Sequence, residues 1–88
     1  MMQTVKRLVY SREALRILRR MPANTAKRIR AKMRQYVAAP AELARNVSGL
    51  KGEPGYYRLR VGAWRVVFRE DARTVAVIRI APRGRAYE

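Results

Sequence analysis

Arg58, Arg60, Arg65 and Arg69 fall within YYRLRVGAWRVVFR (residues 56–69), at a spacing that a β-hairpin would gather onto one face. Both flanks of Gly62-Ala63 alternate apolar and polar, the period-two pattern of half-buried strands. Glycine takes a positive φ without steric penalty, so Gly62-Ala63 suits a two-residue hairpin turn. That turn predicts the pairs Val61–Trp64, Arg60–Arg65, Leu59–Val66, Arg58–Val67 and Tyr57–Phe68. Tyr57, Leu59, Val61, Trp64, Val66 and Phe68 then make a core face, while the four arginines share the other with Tyr56 and Val67. Like charges placed directly opposite on a sheet are destabilising. Two unit charges ~5 Å apart at an effective dielectric of 20 repel by roughly 3 kcal/mol before salt screens them. The simplest reason to hold arginines this way is an anion that binds between them. Guanidiniums fork onto phosphate and carboxylate and stabilise negative charge, but they accept no proton.

The composition favours the same kind of partner. In 88 residues, 21 Lys+Arg against 6 Asp+Glu leave a net charge of +15, and 17 of the 21 are arginine. Such a balance points to nucleic acid, an anionic membrane surface or an acidic protein. The length suits one domain spanning residues 1–88, with no room for a second core. The chain has no Cys and no His. Disulfides, thiolate or zinc sites and a histidine general base are therefore excluded, and no metal or small-molecule cofactor is expected. No apolar run approaches the ~18 residues that span a bilayer, and the N-terminus lacks the roughly 7–15-residue apolar region of a secretory signal. A soluble, cytoplasmic protein without a membrane partner is the expectation.

The elements that must hold the hairpin can be read in order. Residues 3–10 (QTVKRLVY) predict a first strand whose inner face the pattern leaves open. Ser11 is placed to cap a helix, with Glu13 in its first turn where it favours the helix dipole. Ala14, Leu15, Leu18 and Met21 recur at helical spacing until Met21-Pro22 ends that helix. A second helix can start at Pro22, with Ala26, Ile29, Met33, Tyr36 and Val37 as its apolar stripe. Lys27, Arg28, Lys32 and Arg34 are assigned to its outer side. Residues 39–55 read as a long connector with a possible helical turn at 42–45. Lys51 sits in its Gly-flanked part, beside the hairpin. After the hairpin, residues 70–73 form a turn and 74–80 a last strand, paired Phe68–Val75, Val66–Val77 and Arg65–Ile78. Arg79 then falls on the core face opposite Trp64, unless a bulge turns it outward. The sum is an α+β fold: an N-terminal strand, a two-helix hairpin and a three-stranded antiparallel meander, with the helices on one face of the sheet.

These segments resemble the RelE/ParE superfamily of bacterial toxins from type II toxin–antitoxin modules, and the RelE-like branch in particular. The likeness rests on Leu50-Lys51-Gly52, on Tyr57-Arg58-Leu59-Arg60-Val61-Gly62 running into Trp64-Arg65-Val66-Val67-Phe68, and on Arg83 to Tyr87 at the C-terminus. It implies a ribosome-dependent endoribonuclease that cuts mRNA in the decoding site and is held inactive by a cognate acidic, RelB-like antitoxin. The family's catalytic positions fall on Arg58, Arg60, Arg65, Arg83 and Tyr87. Lys51, Tyr56, Arg69 and Arg85 are the further candidates for contact with nucleic acid.

Attack of a 2′-OH on the adjacent phosphodiester builds negative charge on a pentacoordinate phosphorus, and fixed cations aimed at that charge lower the barrier without a metal. A tyrosine such as Tyr56 or Tyr87 can stack on a splayed base. The proton acceptor is harder to place. The family often has Lys on the basic strand and His near the C-terminus, where this chain has Arg and Pro82. That leaves Tyr87 or Lys51. Two other readings stay open: a ParE-like toxin that poisons DNA gyrase, and a basic nucleic-acid-binding module without catalysis.

Overall fold

The structure is a computed structural model that describes residues 5–83. Its first strand, β1 (Arg7–Tyr10), runs directly into Ser11, the N-cap of helix α1 (Arg12–Arg20). The Ser11 hydroxyl accepts from the Ala14 N–H at 3.0 Å, which satisfies one of the unpaired donors of the first turn. Met21 closes α1 and Pro22 takes the N-cap of α2 (Ala23–Ala38) rather than its first turn. A 3-10 segment (Pro40–Asn46), longer than the single turn expected, leads to a three-residue strand, β2 (Val47–Gly49). Three longer strands follow: β3 (Tyr56–Val61), β4 (Trp64–Glu70) and β5 (Thr74–Pro82).

The described residues form a five-stranded sheet in the order β1-β5-β4-β3-β2, with β1 parallel to β5 and the other pairs antiparallel. The class is the α+β arrangement expected, with one strand more. β2 lies within the segment that reads as a connector, where three residues are too few to display alternation. The first strand is shorter than residues 3–10, since Val5 and Lys6 precede it. Register settles which side of β1 is inner: Leu8 and Tyr10 pair with Val75 and Val77 and pack against the core.

The β3–β4 hairpin has the register its alternation predicts, from Val61–Trp64 through Tyr57–Phe68 to Tyr56–Arg69. Gly62 has φ +57° at the first turn position and Ala63 has no positive φ, the pattern that puts glycine first in a tight hairpin. The β4–β5 pairing differs from expectation. Phe68 pairs with Val77 rather than Val75, Glu70 takes Val75, and Val66 pairs with Ile80. The cause lies in the turn. Asp71 Oδ1 accepts from the N–H groups of Arg73 and Thr74, both at 2.8 Å, so both strands run right up to a short loop. Beyond Phe68–Val77 the register slips, leaving Ile78 as an extra residue on β5. The Ser11 hydroxyl donates to the Ile78 carbonyl at 2.7 Å, so the side chain that caps α1 also satisfies the bulge. Ile80 thereby enters the core and Arg79 moves to the opposite face.

The core lies between one sheet face and the helix pair. Ala14, Leu18, Ile29, Met33 and Tyr36 from the helices meet Leu59, Val61, Val66, Phe68, Val75, Val77 and Ile80 from the sheet. Phe68, fully buried, has its ring centroid 4.9 Å from that of Tyr36 and 5.7 Å from that of Tyr57. Side chains of this size contribute ~1.5–3 kcal/mol each on burial. At one edge, Glu70 receives the Tyr36 hydroxyl at 2.5 Å and the Lys6 ammonium at 2.7 Å, which ties α2 and the N-terminal arm to the end of β4. No helix among the described residues is long and apolar enough to cross a membrane.

Candidate nucleic-acid interface

Because the helices cover one face of the sheet, the alternation of β3 and β4 places Arg58, Arg60, Arg65, Val67 and Arg69 on the other. Arg58, Arg60 and Arg65 line a common cavity of about 140 Å³ with Arg45, Asn46, Val47 and Ser48. The last four come from the end of the 3-10 segment and from β2, so the strand that the sequence pattern does not reveal forms one wall. Ser48 stands opposite Arg58 and accepts a hydrogen bond from its Nη2 at 3.1 Å. Four of the seven lining residues are arginines and none is acidic.

The hairpin manages the repulsion between Arg60 and Arg65 by sending the two guanidiniums to different surroundings. Arg65 is 8% exposed, and its Nη1 donates to the carbonyls of Gly62 at 3.1 Å and Trp64 at 3.0 Å. Two carbonyl dipoles at the turn offset part of its charge and fix its position. Arg60 is exposed. One cation is thus pre-positioned at the cavity and the other is left to an incoming anion.

The remaining expected residues do not gather there. Arg83 is exposed beyond β5, with its N–H donating to Ala63 O at 2.7 Å, so it stands beside the Gly62-Ala63 turn. Lys51 is exposed in the β2–β3 loop. That loop joins the opposite end of β3 from Arg60, about 13 Å away along the strand. Tyr56 and Arg69 pair with each other at that same far end. Arg69 reaches Asp71 at 3.5 Å, and Asp71 is held below the usual carboxylate range by its two backbone hydrogen bonds, then by Arg69 and Lys6. Tyr87 and Arg85 lie outside the described residues.

Other residues of this surface are not evident in the sequence. Arg45, Asn46 and Ser48 belong to the segment that reads as connector. Arg79 joins the arginine face because of the bulge, in the same cross-strand row as Val67 and Arg58. Arg28 corrects a further expectation. Helical periodicity assigns it to the outer side of α2, but its guanidinium lies against the hairpin turn: a Cβ on Gly62 would sit 3.5 Å from Arg28 Nη1 and 3.8 Å from Cζ. Arginine's length explains the difference, since periodicity fixes the Cβ direction and not where the guanidinium ends.

The described residues include no group of three or more carboxylates able to hold a metal ion. The groups lining the cavity can bind an anionic oxygen, donate hydrogen bonds to it and neutralise charge that develops there. With only Arg, Asn, Val and Ser in the lining, they supply no proton acceptor at neutral pH.

Comparisons with known proteins agree with this architecture. An archaeal RelE from a RelE–RelB complex of Pyrococcus horikoshii OT3 superposes with a TM-score of 0.78 at 22% identity, covering 94% of this chain and 100% of that one. A mutant of the E. coli toxin RelE in the free state gives 0.75 at 20% identity, covering 94% and 87%. The RelB–RelE antitoxin–toxin complex from Methanococcus jannaschii gives 0.72 at 21% identity, covering 91% and 95%. At these identities the likeness establishes the fold. No curated protein sequence matches. The model of the family described as ParE toxin of type II toxin–antitoxin system, parDE, matches residues 8–87. The chain therefore belongs to the ParE toxin family and, with it, to the RelE/ParE superfamily of toxin–antitoxin toxins.

Proposed function

We propose that this toxin is a ribosome-dependent endoribonuclease whose arginine cavity receives an mRNA phosphodiester. The observation that carries the reading is the shared cavity of Arg58, Arg60 and Arg65, with Arg65 held in place by the turn carbonyls. In the reaction the 2′-oxygen loses its proton and bonds to phosphorus while the bond to the 5′-oxygen breaks. The 5′-oxygen takes a proton from water, leaving a 2′,3′-cyclic phosphate and a 5′-hydroxyl. Arg58, Arg60 and Arg65 stabilise the extra negative charge of the phosphorane, and pre-positioning makes that stabilisation available without reorganisation. The cavity residues hold no proton acceptor. Deprotonation of the 2′-OH falls to Tyr87, which lies outside the described residues, or to a group of the ribosome. The second possibility gives a chemical reason for cutting only on the ribosome.

The net charge of +15 also supports an acidic antitoxin as the regulating partner, in line with the RelB chains present in the archaeal complexes. A chain of that charge can silence the toxin by covering the arginine face.

The family match favours one other reading, inhibition of DNA gyrase in the manner of ParE toxins. Purified protein separates the two. Added to a translating extract it should cut the message, and added to a gyrase reaction it should leave supercoiling unchanged. Loss of supercoiling with intact message would reverse the assignment.

A further inference from the structure

On the other side of Arg60 lies a second basic cavity, also of about 140 Å³, lined by Arg28, Lys32, Leu43, Asn46, Leu59, Arg60, Val61 and Gly62. Arg28 and Lys32 are one helical turn apart on α2, so both reach the same opening. Arg60 and Asn46 line both cavities and form the partition between them. Neither lining contains a carboxylate, and among the described residues Arg28, Lys32 and Arg60 form no ion pair. Leu43, Leu59 and Val61, all nearly fully buried, complete the lining beneath the three cations.

We propose that the cleft between α2 and the β3–β4 turn is a second phosphate subsite, which holds the RNA backbone at the phosphate next to the one bound by Arg58 and Arg65. Two cation-lined cavities of equal size on either side of one arginine fit successive phosphates of a single strand. The Asn46 amide at the partition both donates and accepts, as a 2′-OH between those phosphates requires. Arg28 and Lys32 thus set the path of the strand, while Arg60 serves both positions. This inference rests on the reading of the ligand as RNA.

The test compares an oligouridylate hexanucleotide with the dinucleotide UpU, which has one bridging phosphate, by equilibrium binding across a salt titration. The double substitution Arg28→Ala/Lys32→Ala should weaken hexanucleotide binding roughly tenfold. It should also reduce the log–log salt slope by about 0.7, for the one phosphate charge that is no longer neutralised. UpU binding should stay within about twofold of wild type, since its single phosphate can still be held by Arg58 and Arg65. Lys27→Ala, which removes one charge at an exposed neighbour on α2, should leave both ligands unaffected. Arg28→Lys/Lys32→Arg should restore the slope, which separates the effect of charge from an effect on folding. The proposal is overturned if the double variant binds the hexanucleotide as Lys27→Ala does, or weakens both ligands equally. A two-phosphate binding pattern in a protein that leaves cellular messages intact would retain the subsite and discard the ribonuclease reading.

Discussion

Arg60 and Arg65 stand directly opposite each other across β3 and β4, yet Arg60 is exposed while Arg65 is buried with its guanidinium turned onto the Gly62 and Trp64 carbonyls. The two should therefore respond differently to removal. Arg65→Ala deletes hydrogen bonds from a charged donor and should lower unfolding free energy by ~1.5–3 kcal/mol. Arg60→Ala should leave stability within ~0.5 kcal/mol, as surface substitutions do. Both should weaken RNA binding. Urea unfolding alongside binding measures the split, and equal stability of the two variants would contradict it.

Ser11 joins two distant parts of the chain. Its hydroxyl caps α1 and satisfies the carbonyl of Ile78, the bulged residue that puts Arg79 on the arginine face. Ser11→Ala should cost ~1–2 kcal/mol, the upper range for removal of a helix cap. Amide exchange should accelerate around residues 77–79 as well as in the first turn of α1. Acceleration confined to α1 would mean that the bulge stands without the hydroxyl.

The Gly62 turn separates backbone strain from crowding. A Cβ there meets Arg28 at ordinary contact distance, whereas φ +57° is a backbone conformation that alanine rarely adopts. Gly62→Ala should therefore cost ~1–2 kcal/mol, and the same amount in an Arg28→Ala background. A double-mutant cycle by chemical denaturation checks this; a smaller cost without Arg28 would show that the side chain resists the methyl group.

The sequence reveals most where a local pattern suffices. The β3–β4 register follows from alternation around one glycine, and the Ser11 cap and the Ile29–Met33–Tyr36 stripe follow from helical spacing. It reveals least where geometry depends on distant groups. The β4–β5 register turns on how Asp71 folds its loop and on a bulge supported by Ser11, which lies 67 positions away in sequence. β2 is three residues long and shows no period of its own. The wall of the cavity at Arg45, Asn46 and Ser48, and the Arg28 side of the turn, are illegible for these reasons. Arg58, Arg60 and Arg65 can be grouped because one hairpin carries all three.

Alkaline pH should act through Tyr36. Burial, and then its hydrogen bond to Glu70, push the Tyr36 phenol well above the usual tyrosine range. Tyr10 is raised by burial, partly offset by Arg30 and Arg34. A raised folded-state pKa means that the contribution to stability is complete below the unfolded value of about 10 and is lost as pH rises beyond it. Absorbance titration should show these two phenols ionising above the ordinary tyrosine range and together with unfolding. Ionisation of Tyr36 near pH ~10 in a still-folded protein would contradict its hydrogen bond to Glu70.

Mapping 5′ ends of cellular mRNA after brief expression of the toxin tests the central claim most directly. The arginine-cavity account predicts new ends at codon spacing within translated regions, absent when translation is blocked and strongly reduced for Arg60→Ala. Intact messages accompanied by chromosome breaks would contradict it and assign the growth arrest to gyrase.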